Sequence, residues 1–545
     1  MMRTDLLSLL AVSPFFILVF FLSNIWTTLR VALITGPVLT MLSWGLLVQR
    51  NSYSRRKPIR DQVLCDQQAF DNERRPSPKS EDDDWEQVPN ETFSKIATKK
   101  TSKSNYDGFI GFFHPFANAG GGGERVLWAA IKATQDRWPK AICIVYTGDH
   151  SSGKATILER VKSRFDIDLH APTIVFLYLE KRDWVVASSY PRFTLLLQSL
   201  GSIVVAHEAL TRLAPDIFID TMGYSFSTLY CKHFFPHIAI GSYVHYPFIG
   251  THMVESLTTN SGQGVNAGMG KGWRGFGKKL YWYCLLQLYK FTGIAIDVVM
   301  TNSSWTQNHM QRIWGGIRER KSAAMVLYPP CSVEEIIDKI PLEGNHATPR
   351  EKLLLCIAQF RPEKNHELLI RAFQLMLHTK APEVEGARLV LIGSVRDSED
   401  ETLVYKLRLL ANELKVDKQV DFRINSTWGE ILDWLKTSWV GVNGMWCEHF
   451  GIGVVEYQAA GLIPVVNDSG GPKEDIVVDY EDGPTGFHAS TAAEYADYFT
   501  KALSLSSFET LEMRKRNRLS SQRFTTEIFR KSWCEQLSRL IDISK

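Results

Sequence analysis

The 545-residue chain has almost no excess of charge of either sign. Its 62 Lys and Arg against 59 Asp and Glu leave +3, too little over this length to argue for a nucleic-acid partner. Cysteine is scarce. Cys65, Cys143, Cys231, Cys284, Cys331, Cys356, Cys447 and Cys534 are scattered, with no C-x-x-C pair and no zinc-ligand spacing. That excludes a disulfide scaffold and a zinc module, and fits reduced thiols in a cytosol-like compartment. The glycine run at 120–123 is neither a P-loop nor a G-x-G-x-x-G fingerprint, and no Asp-x-Asp stands out at a strand end. Long apolar runs are confined to the first fifty residues. The remaining composition, 45% hydrophobic and 22% charged, is that of a globular protein long enough for two or three domains.

Leu6–Trp26 and Val31–Val48 are nearly all apolar and are separated only by Thr27, Thr28, Leu29 and Arg30. A membrane span needs roughly 20 apolar residues, so residues 1–50 are expected to be a membrane anchor of one long span or a hairpin of two. A cleaved signal peptide has a shorter apolar region and a small-residue cleavage site, and none precedes the second run. Arg50, Arg55, Arg56, Lys57 and Arg60 follow it. Such positive flanks stay on the cytoplasmic side, which puts the rest of the chain in the cytosol. Residues 51–104, with Arg-Arg-Pro-Ser-Pro at 74–78 and Glu-Asp-Asp-Asp at 81–84, are too polar to build a core and read as a flexible linker.

From Tyr106 onward the pattern alternates strand and helix. Gly108–His114 reads as a strand, Glu124–Arg137 as a helix and Ala141–Thr147 as the next strand; Ile203–Ala206, Ile217–Ile219 and Ile238–His245 continue the strands. This predicts a parallel sheet over residues 105–325. A second series over 326–510 has strands at Leu353–Gln359, Arg388–Ile392, Val420–Ile424, Trp439–Val442 and Ile463–Val466, and a helix at His366–Leu377. Residues 511–545 read as helix packing back across the domains. The expected fold is α/β: two Rossmann-like doubly wound domains, joined near Tyr328-Pro-Pro-Cys331 and facing a cleft. Ligands in such sheets bind at the carboxyl ends of strands. The aromatic stretch Leu280–Phe291, after Lys271, Arg274, Lys278 and Lys279, fits either a membrane-interface helix or a core helix.

Three segments at strand ends carry the candidate chemistry. Gly120-Gly121-Gly122-Gly123 precedes a helix, where glycines let backbone approach a phosphate and free N–H groups face an anion; a structural turn would look the same. Arg361-Pro-Glu-Lys364 follows the first strand of the second half. Its Arg fork and Lys point charge suit a diphosphate that gains charge on leaving, so protein charge is expected in place of a metal ion. Glu448-His-Phe450-Gly451-Ile452-Gly-Val-Val-Glu456 runs from a strand into a helix. Eight residues along a helix advance about 12 Å, so two carboxylates can hold opposite ends of a nucleotide-sugar, one at sugar hydroxyls and one at a ribose. Ser469-Gly-Gly471-Pro-Lys-Glu474 is a further glycine-rich strand end. His245 ends a strand of the first half, and His114 does so less tellingly.

Together these residues resemble the retaining glycosyltransferases of family four, whose fold is GT-B. The E-x7-E motif matches Glu448 and Glu456, and the Arg/Lys pair matches Arg361 and Lys364. Longer segments, Gly120–Trp128, Thr301–Thr306, Tyr328–Cys331, Ala358–His366 and Asn467–Lys473, resemble the endoplasmic-reticulum α-1,2-mannosyltransferases of asparagine-linked glycosylation. Cys447 departs from the polar residue, such as Asn, expected before the first motif glutamate. The resemblance implies GDP-mannose as donor and a dolichol-diphosphate oligosaccharide as acceptor, extended from three to five mannoses on the cytosolic face. No metal or other cofactor is expected; the membrane and other mannosyltransferases of the pathway are expected partners. Glu448 and the backbone near Phe450–Ile452 would meet the donor mannose, Glu456 the ribose, and Arg361 and Lys364 the diphosphate. Gly121, Gly122, Gly123 and Gly471 would line the donor site, with His245 at the reacting sugar. Retention in this family is explained by front-face attack, so no protein nucleophile is expected. Two alternatives keep the fold. One is another lipid-directed transfer, of N-acetylglucosamine to phosphatidylinositol or of α-1,3/1,6-linked mannose; the other is a non-catalytic membrane adaptor.

Overall fold

The computed structural model describes residues 45–73, 106–118, 120–250, 253, 272–319, 321–343 and 349–545. The apolar runs up to residue 44 and the acidic segment at 81–84 lie outside these residues.

Two parallel sheets organise the chain. The first has seven strands in the order β3-β2-β1-β4-β5-β6-β7: β1 Phe109–Phe113, β2 Ile142–Thr147, β3 Ile174–Tyr178, β4 Ile217–Asp220, β5 Ala239–Val244, β6 Val298–Thr301 and β7 Met325–Val326. The second has six in the order β10-β9-β8-β11-β12-β13: β8 Leu353–Ile357, β9 Arg388–Gly393, β10 Val420–Ile424, β11 Val440–Asn443, β12 Ile463–Asn467 and β13 Phe487–Ala489. β1, β2, β4 and β5 are buried along their whole length, because helices cover both faces of a parallel sheet. In each sheet the strand order reverses once, between β1 and β4 and between β8 and β11. Crevices open there at the carboxyl ends.

Ile203–Ala206, expected as a strand, lies inside the helix Thr194–Arg212. A short apolar run cannot by itself distinguish strand from buried helix, and its neighbours extend a helix of 19 residues. Among the described residues this helix alone is long and apolar enough to cross a membrane, yet its Val205, Ala206, Ala209 and Leu210 are buried in the first domain. A second correction concerns the expected linker. Residues 56–73 form an 18-residue helix that docks on the first domain. Val63 is buried there, and the Arg56 guanidinium donates to Asp216 at 2.6 Å.

The C-terminus crosses between domains. Ser507–Ser521 packs on the second domain, where the Asn517 amide donates to Leu462 O at 2.9 Å. The chain returns beside Cys331 through the bond from Cys331 N to Phe524 O. Thr526–Ser544 then completes the first core with Phe529, Trp533, Leu537, Leu540 and Ile541. At about 1.5–3 kcal/mol for each large apolar side chain buried, this helix is integral to the first domain.

Candidate functional site

The second-domain wall begins where β11 ends. Asn443 closes the strand, and the chain loops through Glu448 before the helix Ile452–Ala460. Gly451 carries φ 108°, a left-handed conformation that a side chain resists; it turns the loop sharply into the helix. The N–H groups of Ile452 and Gly453 then have no intrahelical acceptor and suit an anion. The Phe450 ring is buried against Tyr328 and Phe524, so a ligand can use only its backbone. Gly471 donates its N–H to Glu448 O at 2.7 Å and underpins the loop. Cys447 also has positive φ, 54°, a conformation that Asn tolerates better than most residues.

Glu448 is held from two sides. Lys364 Nζ lies 2.5 Å from its Oε2, and the Asn443 amide donates to the same oxygen at 3.4 Å. Burial alone would raise its pKa, but Lys364 above all, with the Asn443 amide, outweighs it and holds the carboxyl below its ordinary range. Glu456 behaves oppositely. Burial pushes it up to about 7, Arg125 draws it down and Glu335 raises it further. The motif thus supplies one carboxylate kept ionised and one that titrates near neutrality. Arg361 Nε is buried and has no hydrogen-bond partner, and its guanidinium lies 3.7 Å from Glu363. A basic loop with an unfilled donor at the end of a strand fits a diphosphate.

The first-domain wall faces this loop. An added Cβ on Gly122 would come within 2.9 Å of Ile452 Cδ1, and one on Gly123 within 3.5 Å of His245 Nε2. The glycine loop therefore touches the start of the E-x7-E helix and the strand-end histidine at once; Gly121 meets nothing within 4 Å and stays open. His245 is half-buried, and the burial of its ring lowers its pKa to about 4 against a bond it donates to the Thr221 backbone carbonyl, which raises it. Its Nε2 has no partner. A neutral imidazole with an orphaned nitrogen in a cleft is an invitation to a hydroxyl. His114 is satisfied instead: its Nδ1 meets Thr221 Oγ1 at 2.8 Å, and burial takes its pKa to about 3. Among the described residues, no group of three or more His, Cys, Asp or Glu could hold a metal ion.

Several contacts that join the two walls were not expected from the sequence, although Thr301–Thr306 and Tyr328–Cys331 were among the segments that carried the resemblance. Ser303 Oγ donates to His449 O at 2.6 Å, and Asp475 of the second domain accepts from Ser304 N and Tyr328 Oη, each at 2.9 Å. The Tyr246 and His449 rings stack at 3.9 Å. Thr301–Thr306 contributes to the site as an inter-domain fastening.

Comparison with known proteins agrees with this geometry. Residues 107–314 match the family described as ALG11 mannosyltransferase N-terminus, and residues 342–522 match Glycosyl transferases group 1. The chain is 47% identical to the GDP-Man:Man(3)GlcNAc(2)-PP-Dol alpha-1,2-mannosyltransferase of Neurospora crassa, over 96% of this chain and 98% of that one. It is 43% identical to the Homo sapiens protein of the same name, covering 82% and 89% respectively. Among solved structures it is similar in fold to sucrose-phosphate synthase from Thermosynechococcus elongatus, with TM-score 0.57, 14% identity and coverage of 80% and 100%. It is likewise similar to the trehalose 6-phosphate synthase of Burkholderia multivorans, with TM-score 0.57, 13% identity and coverage of 80% and 99%. The fold is the two-domain GT-B architecture of glycosyltransferases, and the chain belongs to the family of GDP-Man:Man(3)GlcNAc(2)-PP-Dol alpha-1,2-mannosyltransferases.

Proposed function

We propose that this glycosyltransferase moves mannose from GDP-mannose to a dolichol-diphosphate-linked oligosaccharide, extending Man(3)GlcNAc(2) to Man(5)GlcNAc(2) in α-1,2 linkage with retention. The observation that carries this reading is the ionised Glu448, paired to Lys364, opposite the unpartnered His245 Nε2 in the cleft of a chain of this family. In this reading Lys364 and Arg361 stabilise the charge that grows on the departing diphosphate. Ile452 and Gly453 N–H add to that stabilisation. Glu448 and His245 hold sugar hydroxyls from the two walls, and Glu456 takes the ribose. The attacking acceptor hydroxyl sits on the same face as the leaving phosphate and passes its proton to a phosphate oxygen, so no side chain needs to act as nucleophile. Because cations meet the diphosphate, transfer needs no metal.

The same reading places the protein at the endoplasmic-reticulum membrane with both domains in the cytosol, beside other mannosyltransferases of the pathway. The basic flank from Arg50 to Arg60 and the absence of any disulfide among the eight cysteines support it. So does an apolar face on the first domain. Leu46 and Leu47 are exposed on the helical turns that pack beside Phe234. The helix Gly272–Thr292 packs on the same helix, Ser225–Phe234, and buries Trp282, Leu285 and Tyr289 but exposes Trp273, Phe276, Tyr283 and Phe291. Aromatic residues with a basic start are what an interfacial helix carries.

The test is transfer of labelled mannose by detergent-purified full-length protein to a Man(3)GlcNAc(2) dolichol-diphosphate acceptor, with EDTA present. Two mannoses sensitive to α-1,2-mannosidase are expected. No transfer refutes the reading, and strict metal dependence refutes the roles of Arg361 and Lys364. Glu448→Ala should lower turnover by about a hundredfold or more in a protein that still folds.

A further inference from the structure

We propose that Tyr246 and His449 form a strut between the two domains that sets the spacing of His245 and Glu448, with Ser303 as its second tie. This rests on the reading of the cleft as the donor site. The argument begins with adjacency. His245 and Tyr246 are consecutive after β5, and Glu448 and His449 are consecutive after β11. One residue of each pair meets the donor site, and the other two meet each other. The Tyr246 and His449 ring centroids lie 3.9 Å apart at 24°. Trp305 backs the stack, 6.2 Å from Tyr246 and 5.8 Å from His449, both nearly parallel.

The backbone is tied as well. Ser303 Oγ of the first domain donates to His449 O, while Gly471 N of the second donates to Glu448 O. Consecutive carbonyls of the donor loop are thus fixed from opposite domains. Burial keeps the His449 imidazole neutral, with its pKa taken down to about 4 against the pull of Glu448, so the ring stacks without carrying a charge into the cleft.

Access gives the strut a purpose. His245 Nε2 is shut off from solvent and the Glu448 side chain is only 13% exposed, so a donor enters only when the domains part. The ring stack and the Ser303 bond must then break, and must be remade before His245 and Glu448 can act together on one sugar. Misplacing a reacting group by about 1 Å can cost about a hundredfold in rate. Tyr246 and His449 are positioning residues, since neither is required to touch substrate.

The experiment uses the full-length protein in the transfer assay, with GDP affinity measured separately by calorimetry. Tyr246→Ala is expected to lower kcat about 10- to 100-fold while the KM for GDP-mannose stays within about threefold and GDP affinity within about twofold. Tyr246→Phe and His449→Phe keep a stacking ring and should stay within about threefold of wild-type kcat. The strut is overturned if Tyr246→Ala keeps normal kcat. It is equally overturned if either Phe variant is as slow as the Ala variant, because a polar atom rather than the ring would then matter. A fall in GDP affinity parallel to kcat also overturns it, since the loss would be structural. If the Ala variant fails to fold, the two Phe variants decide alone. Absence of transfer by the wild-type protein would count against the donor-site reading and not against the strut.

Discussion

Replacing Lys364 by Met separates the electrostatic support of Glu448 from its packing, because the apolar stem is kept and only the ammonium is lost. The two groups are 2.5 Å apart, with side chains 21% and 13% exposed. Removing one partner of a fully buried pair costs about 3–5 kcal/mol. Both groups here keep some contact with water, so we expect about 2 kcal/mol, or about 5 °C in Tm for a domain of this size. The sign depends on pH. In the wild type the folded pKa of Glu448 is depressed, so its stabilisation is present above the unfolded value and lost as pH falls through the folded one. Without Lys364, burial dominates and the folded pKa rises above the unfolded value. Stability then declines as pH increases through that window. The gap between the two proteins should therefore be wider at pH 7.5 than at pH 5. Melting in detergent followed by tryptophan fluorescence measures it. The double variant Lys364→Met/Glu448→Gln, with no charge left to strand, should regain most of the loss. Equal destabilisation at both pH values, with additive effects in the double variant, would refute the pairing as the cause.

Two other perturbations test separate parts of the structure. Glu456 has its folded pKa raised to about 7, so the folded state holds its proton and its contribution to stability is lost as pH rises from the unfolded value through 7. Glu456→Gln should melt at or above the wild type at pH 8 and bind GDP-mannose more weakly there, with the wild-type pH dependence of affinity between 6 and 8 flattened. Trp533 stacks near Phe112 and Phe529 and donates to Thr134 Oγ1 at 3.0 Å. Trp533→Ala should cost the first domain about 3–5 kcal/mol, seen as early release of a C-terminal fragment in limited proteolysis near residues 522–525.

The central strands were legible in the sequence because a parallel strand buried on both faces must be apolar throughout, as Phe109–Phe113 and Leu353–Ile357 are. The same logic misled at Ile203–Ala206, where a buried helix needs equally apolar residues. The helix Arg56–Glu73 was hidden for the opposite reason. Its mean hydropathy is low, and it is held by Val63 and by Arg56 and Arg60 reaching Asp216 and Asp107. Those partners lie elsewhere in the chain, so no local window contains the signal.

The site divides along a similar line. Glu448, Glu456 and the Arg361/Lys364 pair could be found because they sit in short segments at strand ends. Lys364 bonding Glu448, and Tyr246 stacking on His449, depend on how distant segments meet, which local spacing does not encode. One local regularity does bear on the second contact. Where a chain leaves a strand in extended form, successive side chains point in opposite directions, so the neighbour of a ligand-facing residue is turned away from the ligand. In a cleft between two sheets, the surface it then meets belongs to the other domain or to the loop that carries the other domain's ligand-facing residue. His245 and Tyr246 directly follow β5, whereas Glu448 and His449 come after the turn at Trp446–Cys447, so on that side the same division of roles is set by the loop and not by strand alternation. Residues that couple the domains should accordingly be sought one position after those that bind the donor.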